Sequence, residues 1–258
     1  MNKPKVLIAI PTYRCEAQIT RVLDEIDDRL ASRVAEIAVI DNGSPDGTVA
    51  AALAYKKTRR LKNLHVYINK DNYNLGGTHK VAFLKAQNMC LTHVVVLHGD
   101  DQAKSDEANR LLDYATRHPD TQTILGSRFS KGSKLQGYDW RRIWGNRILN
   151  VAYSIFTGRN CKDLGSGLNL FALRDLDQKT YLEFADKLTF NFELLLDLIK
   201  RKVRFAYVPI TWREEDQVSN ARNFNIAKIA FINLIQWRLG KKTTAYHKPD
   251  DYQCEEQF

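Results

Sequence analysis

No stretch of this 258-residue sequence approaches the ~18 uninterrupted apolar residues that a membrane-spanning helix requires. The opening MNKPKVLIAI is too short, and too quickly followed by Pro11, to read as a signal peptide, so a cytoplasmic chain is expected. The four cysteines, Cys15, Cys90, Cys161 and Cys254, lack the close pairing of a zinc site or a redox motif, and free thiols are expected. There is no G-x-G-x-x-G fingerprint and no GxxxxGK[ST] loop, which removes support from dinucleotide binding and from P-loop chemistry. No internal repeat is visible. No recognition module for nucleic acid accompanies the positive charge, and nucleic acid is not an expected partner. The net charge of +9 favours an anionic partner of another kind, a membrane surface or a phosphorylated small molecule.

What the chain has is apolar content of 44%, ample for a core, arranged in short runs: KVLIAI, AEIAVI, LHVYI, THVVVL and QTILG. Segments with helical spacing separate them. Ile19, Val22, Leu23, Ile26 and Leu30 predict a helix after the first strand, and Val81, Leu84 and Ala86 predict another. Ser105 reads as the N-cap of a third, ending near Arg117 before Pro119. This alternation predicts an α/β fold, a mostly parallel central sheet with helices on both faces. Farther on, a helix-like run from Arg141 to Phe156, the segment DLGSGLNLFAL, a helix at NFELLLDLIKRK and a strand RFAYVPITW complete it.

In open sheets of this type ligands bind outside the carboxyl ends of the strands. The polar segments there are PTYRCE, DNGSPDGT, NKDNYNLGG and HGDDQ, and all four are expected on one rim. Asp41, fixed after the second strand, suits a nucleobase imide or a ribose hydroxyl, and equally an ordinary turn closed by Thr48. Gly76 and Gly77 open a helix whose amides suit phosphate, or else form a simple tight turn. In HGDDQ, extended alternation places His98, Asp100 and Gln102 on one side and turns Asp101 away. The first three suit one divalent ion, Mg²⁺ or Mn²⁺, bridging to a diphosphate, with the imidazole shifting preference towards Mn²⁺.

Taken in order, IPTYRCE, VIDNGSPDGT, NLGGTHKVAFLKA, VVVLHGDDQ, ILGSRFSKG, DLGSGLNLF, NFELLLDLI and VPITWRE resemble the family-2 glycosyltransferases, particularly the dolichyl- and polyprenyl-phosphate sugar synthases. The resemblance runs from about Lys5 to Asn223. It implies a GT-A fold, with residues 1–128 as the nucleotide-sugar half and 129–223 as the acceptor half of one domain. It also implies inverting transfer from a UDP- or GDP-linked sugar, assisted by Mg²⁺ or Mn²⁺. By the same resemblance Pro11, Tyr13, Glu16, Asp41, Gly76, Gly77, Gly99 and Asp100 contact the nucleotide. The family's Asp-x-Asp-x-Gln metal motif falls on His98, Asp100 and Gln102, so His98 stands where the family carries its first aspartate.

An acceptor that is already an ionised phosphate needs cationic positioning groups more than a base. Ser127, Arg128, Arg141, Ser166, Arg213, Ser219 and Arg222 are the candidates for holding it. A sugar-hydroxyl acceptor would need a carboxylate base, for which Asp163 leads and Glu193 follows. Asp163 also suits a turn cap or an arginine partner. Catalytic roles are thus expected of Asp100, Asp163, Arg128 and Arg213. Residues 224–240 form an amphipathic stretch fit for a membrane interface, for packing or for a homodimer, and would place the protein at the inner face of the membrane. Residues 241–258 are polar and expected to be disordered. The leading expectation is transfer to polyprenyl phosphate. Transfer to a sugar hydroxyl in capsule, lipopolysaccharide or other glycan assembly, and a non-catalytic nucleotide-sugar-binding domain, stand as alternatives.

Overall fold

The computed structural model describes residues 4–214, 223–241 and 251–258. The five apolar runs form β1 (Val6–Thr12), β2 (Glu36–Asp41), β3 (Leu64–Asn69), β4 (His93–Leu97) and β5 (Thr123–Ser127). They are followed by β6 (Lys134–Gln136), β7 (Leu168–Ala172), β8 (Phe205–Pro209), β9 (Thr211–Arg213) and β10 (Cys254–Gln257). Eight of these make one sheet in the order β10-β3-β2-β1-β4-β7-β5-β8, and β6 pairs with β9 beside it. β1 to β4 run parallel, as do β5 and β8, whereas β7 is antiparallel to both neighbours. The carboxyl ends of β1 to β5 therefore share one rim with the segment that enters β7. The two halves of the chain are joined in a single sheet.

The helices are α1 (Glu16–Asp24), α2 (Asp28–Ala31), α3 (Thr48–Lys57), α4 (Asn74–Asn88), α5 (Ala108–Arg117), α6 (Trp140–Thr157), α7 (Gln178–Tyr181), α8 (Phe190–Lys200) and α9 (Asn223–Arg238). Alternation along β1 divides the core in two. Ile8 and Ile10 pack under α1, α3 and α5, while Leu7 and Ala9 pack under α4, α6, α8 and α9.

Three local expectations are corrected. The apolar spacing from Ile19 to Leu30 predicts one helix, but two form, because the Asp27 carboxylate accepts from the Leu30 amide at 2.6 Å and starts α2 afresh. Ser105 does not cap α5: its hydroxyl donates to the Val22 carbonyl at 2.8 Å, and it opens a short 3₁₀ turn, Ser105–Glu107. The end of the chain is not disordered throughout, since Cys254–Gln257 pairs antiparallel with β3 and covers that sheet edge. The Tyr252 hydroxyl reaches the buried Lys80 ammonium at 3.0 Å and Asp186 at 2.8 Å, which anchors this strand.

Gly76 is where α4 meets the 184–190 segment most closely. A Cβ there would stand 2.5 Å from the Ala185 carbonyl oxygen and 2.7 Å from Phe190 Cβ. Gly76→Ala is therefore expected to lower stability by about 1–3 kcal/mol through overpacking, read by chemical denaturation.

Candidate active site

The rim is built from turns that the sequence stiffens locally. At the end of β2, Asp41 is fully buried and accepts from the Ser44 amide at 2.7 Å, the Ser44 hydroxyl at 2.5 Å and Thr12 Oγ1 at 3.2 Å. Glu16, opening α1, accepts from the Gly47 amide at 3.0 Å and ties the first loop to the second. Pro11 lies buried at the end of β1, and its carbonyl accepts from the Gly99 amide at 3.0 Å. Gly99 has no room for a Cβ against Thr12. Tyr13 is exposed at the rim with the Arg14 guanidinium 5.5 Å above its ring, which leaves an aromatic face for a base. Pro11, Tyr13, Glu16, Asp41 and Gly99 thus come together.

Gly76 and Gly77 do not join them as phosphate donors. Both amides point to the Asp186 carbonyl, at 2.6 and 3.2 Å, and are already satisfied. Their glycines serve the close packing of α4.

After β4, Asp100 is half-buried, and burial holds its carboxyl above the usual carboxylate range, opposed by nearby His98 and by the Gln102 amide at 3.3 Å. Asp101 lies in a turn, in a left-handed conformation at φ 59°, and not in the extended segment that the alternation assumes. It pairs with Arg213 and Arg21, each at 2.7 Å. Gln102 donates through Nε2 to Glu214 at 3.4 Å. Its amide oxygen and the Asp100 carboxylate are hard donors fit for a divalent cation.

His98, the third expected ligand, has a second imidazole for a neighbour. Its Nε2 meets His79 Nε2 at 3.3 Å, and its ring lies against Gly167, where a Cβ would stand 3.1 Å from Nδ1. Among the described residues no three His, Cys, Asp or Glu side chains are arranged to hold an ion. A cation at this rim would have the Asp100 carboxylate and the Gln102 amide oxygen as its hard donors, together with the phosphates of its own ligand.

His79 is the residue that pattern reading overlooks. It sits on the buried face of α4, and the only signal is its place two residues after the NLGG segment. Burial, then the neighbouring His98, pushes its pKa well below the ordinary histidine value, and burial lowers that of His93 too. A group with a depressed folded pKa contributes stability above its unfolded pKa, and that stability is lost as pH falls. Folding free energy should therefore be flat from about pH 8 to about pH 6.5 and decline towards pH 5, and His79→Gln should flatten the decline in denaturant titrations.

On the acceptor side, Arg128 follows β5 and Asp163 precedes β7, and the antiparallel β7 brings them together. The guanidinium spans the carboxylate with two bonds, Nε to Oδ2 at 2.9 Å and Nη2 to Oδ1 at 2.7 Å. The Arg128 amide adds a third at 2.8 Å. Burial alone would lower the Arg128 pKa, but the Asp163 charge more than offsets it, and the guanidinium stays charged. Its face lies 4.9 Å from the Trp212 ring. Of the roles open to Asp163, arginine partner is the one it occupies. Arg213, held by β9 against the Gln102 loop, is bound by Glu25 at 2.7 Å as well as by Asp101.

Ser127 and Ser166 are buried, and their hydroxyls serve the backbone: Ser127 Oγ accepts from the Phe129 amide at 3.2 Å, and Ser166 Oγ donates to the Leu168 carbonyl at 3.1 Å. Ser166 also lines a small cavity with Asp163, Gly165 and Asn191. Arg141 is exposed at the start of α6, 5.5 Å over the Trp140 ring. Glu193 accepts from the Ala185 amide at 3.1 Å inside the core and is no base. Ser219 and Arg222 lie outside the described residues.

Comparison with known proteins agrees with this geometry. The family model described as glycosyl transferase family 2 matches residues 7–178, two thirds of the chain. The polyprenol monophosphomannose synthase of Mycolicibacterium smegmatis is 26% identical over 240 residues, 90% of this chain and 86% of that one. The dolichyl-phosphate beta-glucosyltransferase of Drosophila melanogaster is 24% identical, over 81% of this chain and 67% of its own. Among solved structures, glucosyl-3-phosphoglycerate synthase from Mycobacterium tuberculosis, in complex with Mn²⁺, UDP-glucose and phosphoglyceric acid, superposes with a TM-score of 0.69 at 16% identity. That match covers 93% of this chain and 82% of the other and shows the shared GT-A fold. The chain belongs to glycosyl transferase family 2.

Proposed function

We propose that this glycosyltransferase moves a sugar from a nucleoside-diphosphate donor onto a lipid-linked phosphate, a polyprenyl phosphate, with inversion at the anomeric carbon. The observation that carries the reading is the state of the carboxylates. Each one described at the rim has a protein donor, and only Asp100 is held by a single long bond, from the Gln102 amide: Asp41 has Ser44, Asp101 has Arg213 and Arg21, Asp163 has Arg128, and Glu214 has Arg142. A sugar hydroxyl would need a free base beside the anomeric carbon. A phosphate acceptor is already ionised and asks only to be placed and held. The relatives that act on polyprenyl and dolichyl phosphates support the same choice.

In this reading Tyr13 offers its face to the base, while Asp41 and Glu16 hold the turns that shape the ribose site. Asp100 and Gln102 would hold a divalent cation, which would supply charge neutralisation for the departing nucleoside diphosphate. Arg128, stacked on Trp212 and fixed by Asp163, keeps a permanent positive charge at the acceptor side, and Arg213 braces the Gln102 loop. Calorimetric titration with UDP and GDP tests the donor half. Binding of one nucleotide that strengthens with Mn²⁺ or Mg²⁺, and loses that dependence in Asp100→Asn, supports the reading; nucleotide binding indifferent to both cation and variant contradicts it.

A further inference from the structure

The third rim segment, residues 69–77, is held from two sides. It leaves β3, passes the exposed Asp71 and Asn72, and enters α4 through Asn74, left-handed at φ 58°. Asn tolerates that conformation better than most residues, yet it persists only where the surroundings fix it. On the inner side β2 supplies the fixing. Asn42 Oδ1 accepts from the Tyr73 amide at 2.8 Å and from Asn69 Nδ2 at 3.0 Å, and Asn42 Nδ2 donates to Asn72 Oδ1 at 2.8 Å. Asn42 follows Asp41, so the segment is tied directly to the turn that shapes the ribose site.

On the outer side the fixing comes from residues 251–258. The Tyr73 hydroxyl donates to the Asp251 carbonyl at 2.8 Å, and the Tyr252 ring stands edge to face against Tyr73 at 5.3 Å. The Tyr252 hydroxyl donates to Asp186 Oδ1 at 2.8 Å and accepts from Lys80 Nζ at 3.0 Å. Lys80 and Asp186 are fully buried and paired at 2.7 Å, and the Asp186 carbonyl is the group that takes the Gly76 and Gly77 amides. A buried ion pair is well held only when its remaining bonds are made, and Tyr252 supplies one to each partner. Protection of the β3 edge would need only the ladder from Cys254 to Gln257. The bonds of Asp251 and Tyr252 lie beyond that ladder, and they reach Tyr73 and the start of α4.

We propose that Asp251 and Tyr252 form a clasp that sets the third rim segment for the nucleotide of the donor, with Tyr252 as the positioning residue. Tyr252 touches no reacting group and acts through Asp186 and Tyr73. With the clasp closed, the segment meets the nucleotide already in place, so less ordering is left to be done on binding. The inference rests on the nucleoside-diphosphate reading of the donor site.

Tyr252→Phe in the full chain removes the hydroxyl and keeps the ring. Glu256→Gln is the control: Glu256 lies in the same strand but bonds to His65 at 2.6 Å, at the end of β3 away from the rim. Calorimetry with UDP and GDP compares them at a temperature where denaturation curves show both variants folded. Tyr252→Phe is expected to bind the preferred nucleotide about three- to tenfold more weakly, and Glu256→Gln within about twofold of wild type. In transfer assays the KM for the donor should rise in Tyr252→Phe while kcat stays within about twofold, because the reacting groups are untouched. Hydrogen exchange of the wild type needs no variant: saturating nucleotide should slow exchange in residues 70–77 and 251–257 together. Nucleotide binding in Tyr252→Phe equal to wild type overturns the clasp, whatever that variant loses in stability. Equal weakening in Glu256→Gln overturns it too, as does exchange that slows at 70–77 alone. Wild-type protein that binds neither UDP nor GDP defeats the donor reading and the clasp with it, a result distinct from a wild type that binds and a variant that binds equally.

Discussion

Asp100→Asn should lose at least about 10²–10³-fold in sugar transfer while remaining folded. Asp100 is the carboxylate at the rim that is held by a single long bond, from the Gln102 amide at 3.3 Å, so it has bonding capacity left for a ligand. Burial raises its pKa, which means that its charged form is held at a cost that a cation or a donor would recover. The amide isostere keeps the shape and removes the charge. Single-turnover assays with a saturating donor separate this from weakened donor binding, and a normal denaturation midpoint shows that the fold is intact. Unchanged turnover in Asp100→Asn would remove Asp100 from the site.

The second large effect is on stability. Arg128 and Asp163 form a buried, doubly bonded ion pair, and removal of one partner leaves the other charge buried without compensation. Asp163→Ala is expected to destabilise by about 3–5 kcal/mol, and Arg128→Met/Asp163→Leu by much less than the sum of the single changes. Urea denaturation of the two singles and the double gives the coupling directly. If Asp163 were instead a base held ready for a hydroxyl, its removal would abolish transfer while leaving the denaturation midpoint near that of the wild type.

The fold was legible because its signals are periodic. Five β-branched runs fall on β1 to β5, and the convergence of their polar ends follows from parallel pairing alone. The break at Asp27 was not legible, since apolar spacing continues across it and only a side-chain cap interrupts the helix. Nor was β10: Cys254–Gln257 is polar, and it pairs because β3 offers an open edge and Tyr252 finds Lys80, far away in sequence.

The site divides along the same line. Asp100, Gln102, Tyr13, Glu16 and Asp41 sit at strand ends, where position along one element decides placement. Gly76, Gly77, Asp163 and His98 were ambiguous because their roles depend on what another element brings to them. Asp186 takes the two glycine amides, Arg128 takes Asp163, and His79 takes His98. The replacement of the family's aspartate by His98 reads differently beside His79, since the side chain that its imidazole meets is a second imidazole.

The measurement closest to the central claim is transfer of radiolabelled sugar from a panel of UDP- and GDP-linked donors to two acceptors in detergent, undecaprenyl phosphate and a lipid-linked sugar with a free hydroxyl. A phosphate acceptor that needs no base should yield a sugar–phosphate lipid that mild acid cleaves, with little product from the hydroxyl acceptor. Efficient glycosylation of the hydroxyl acceptor, and none of the lipid phosphate, would contradict it.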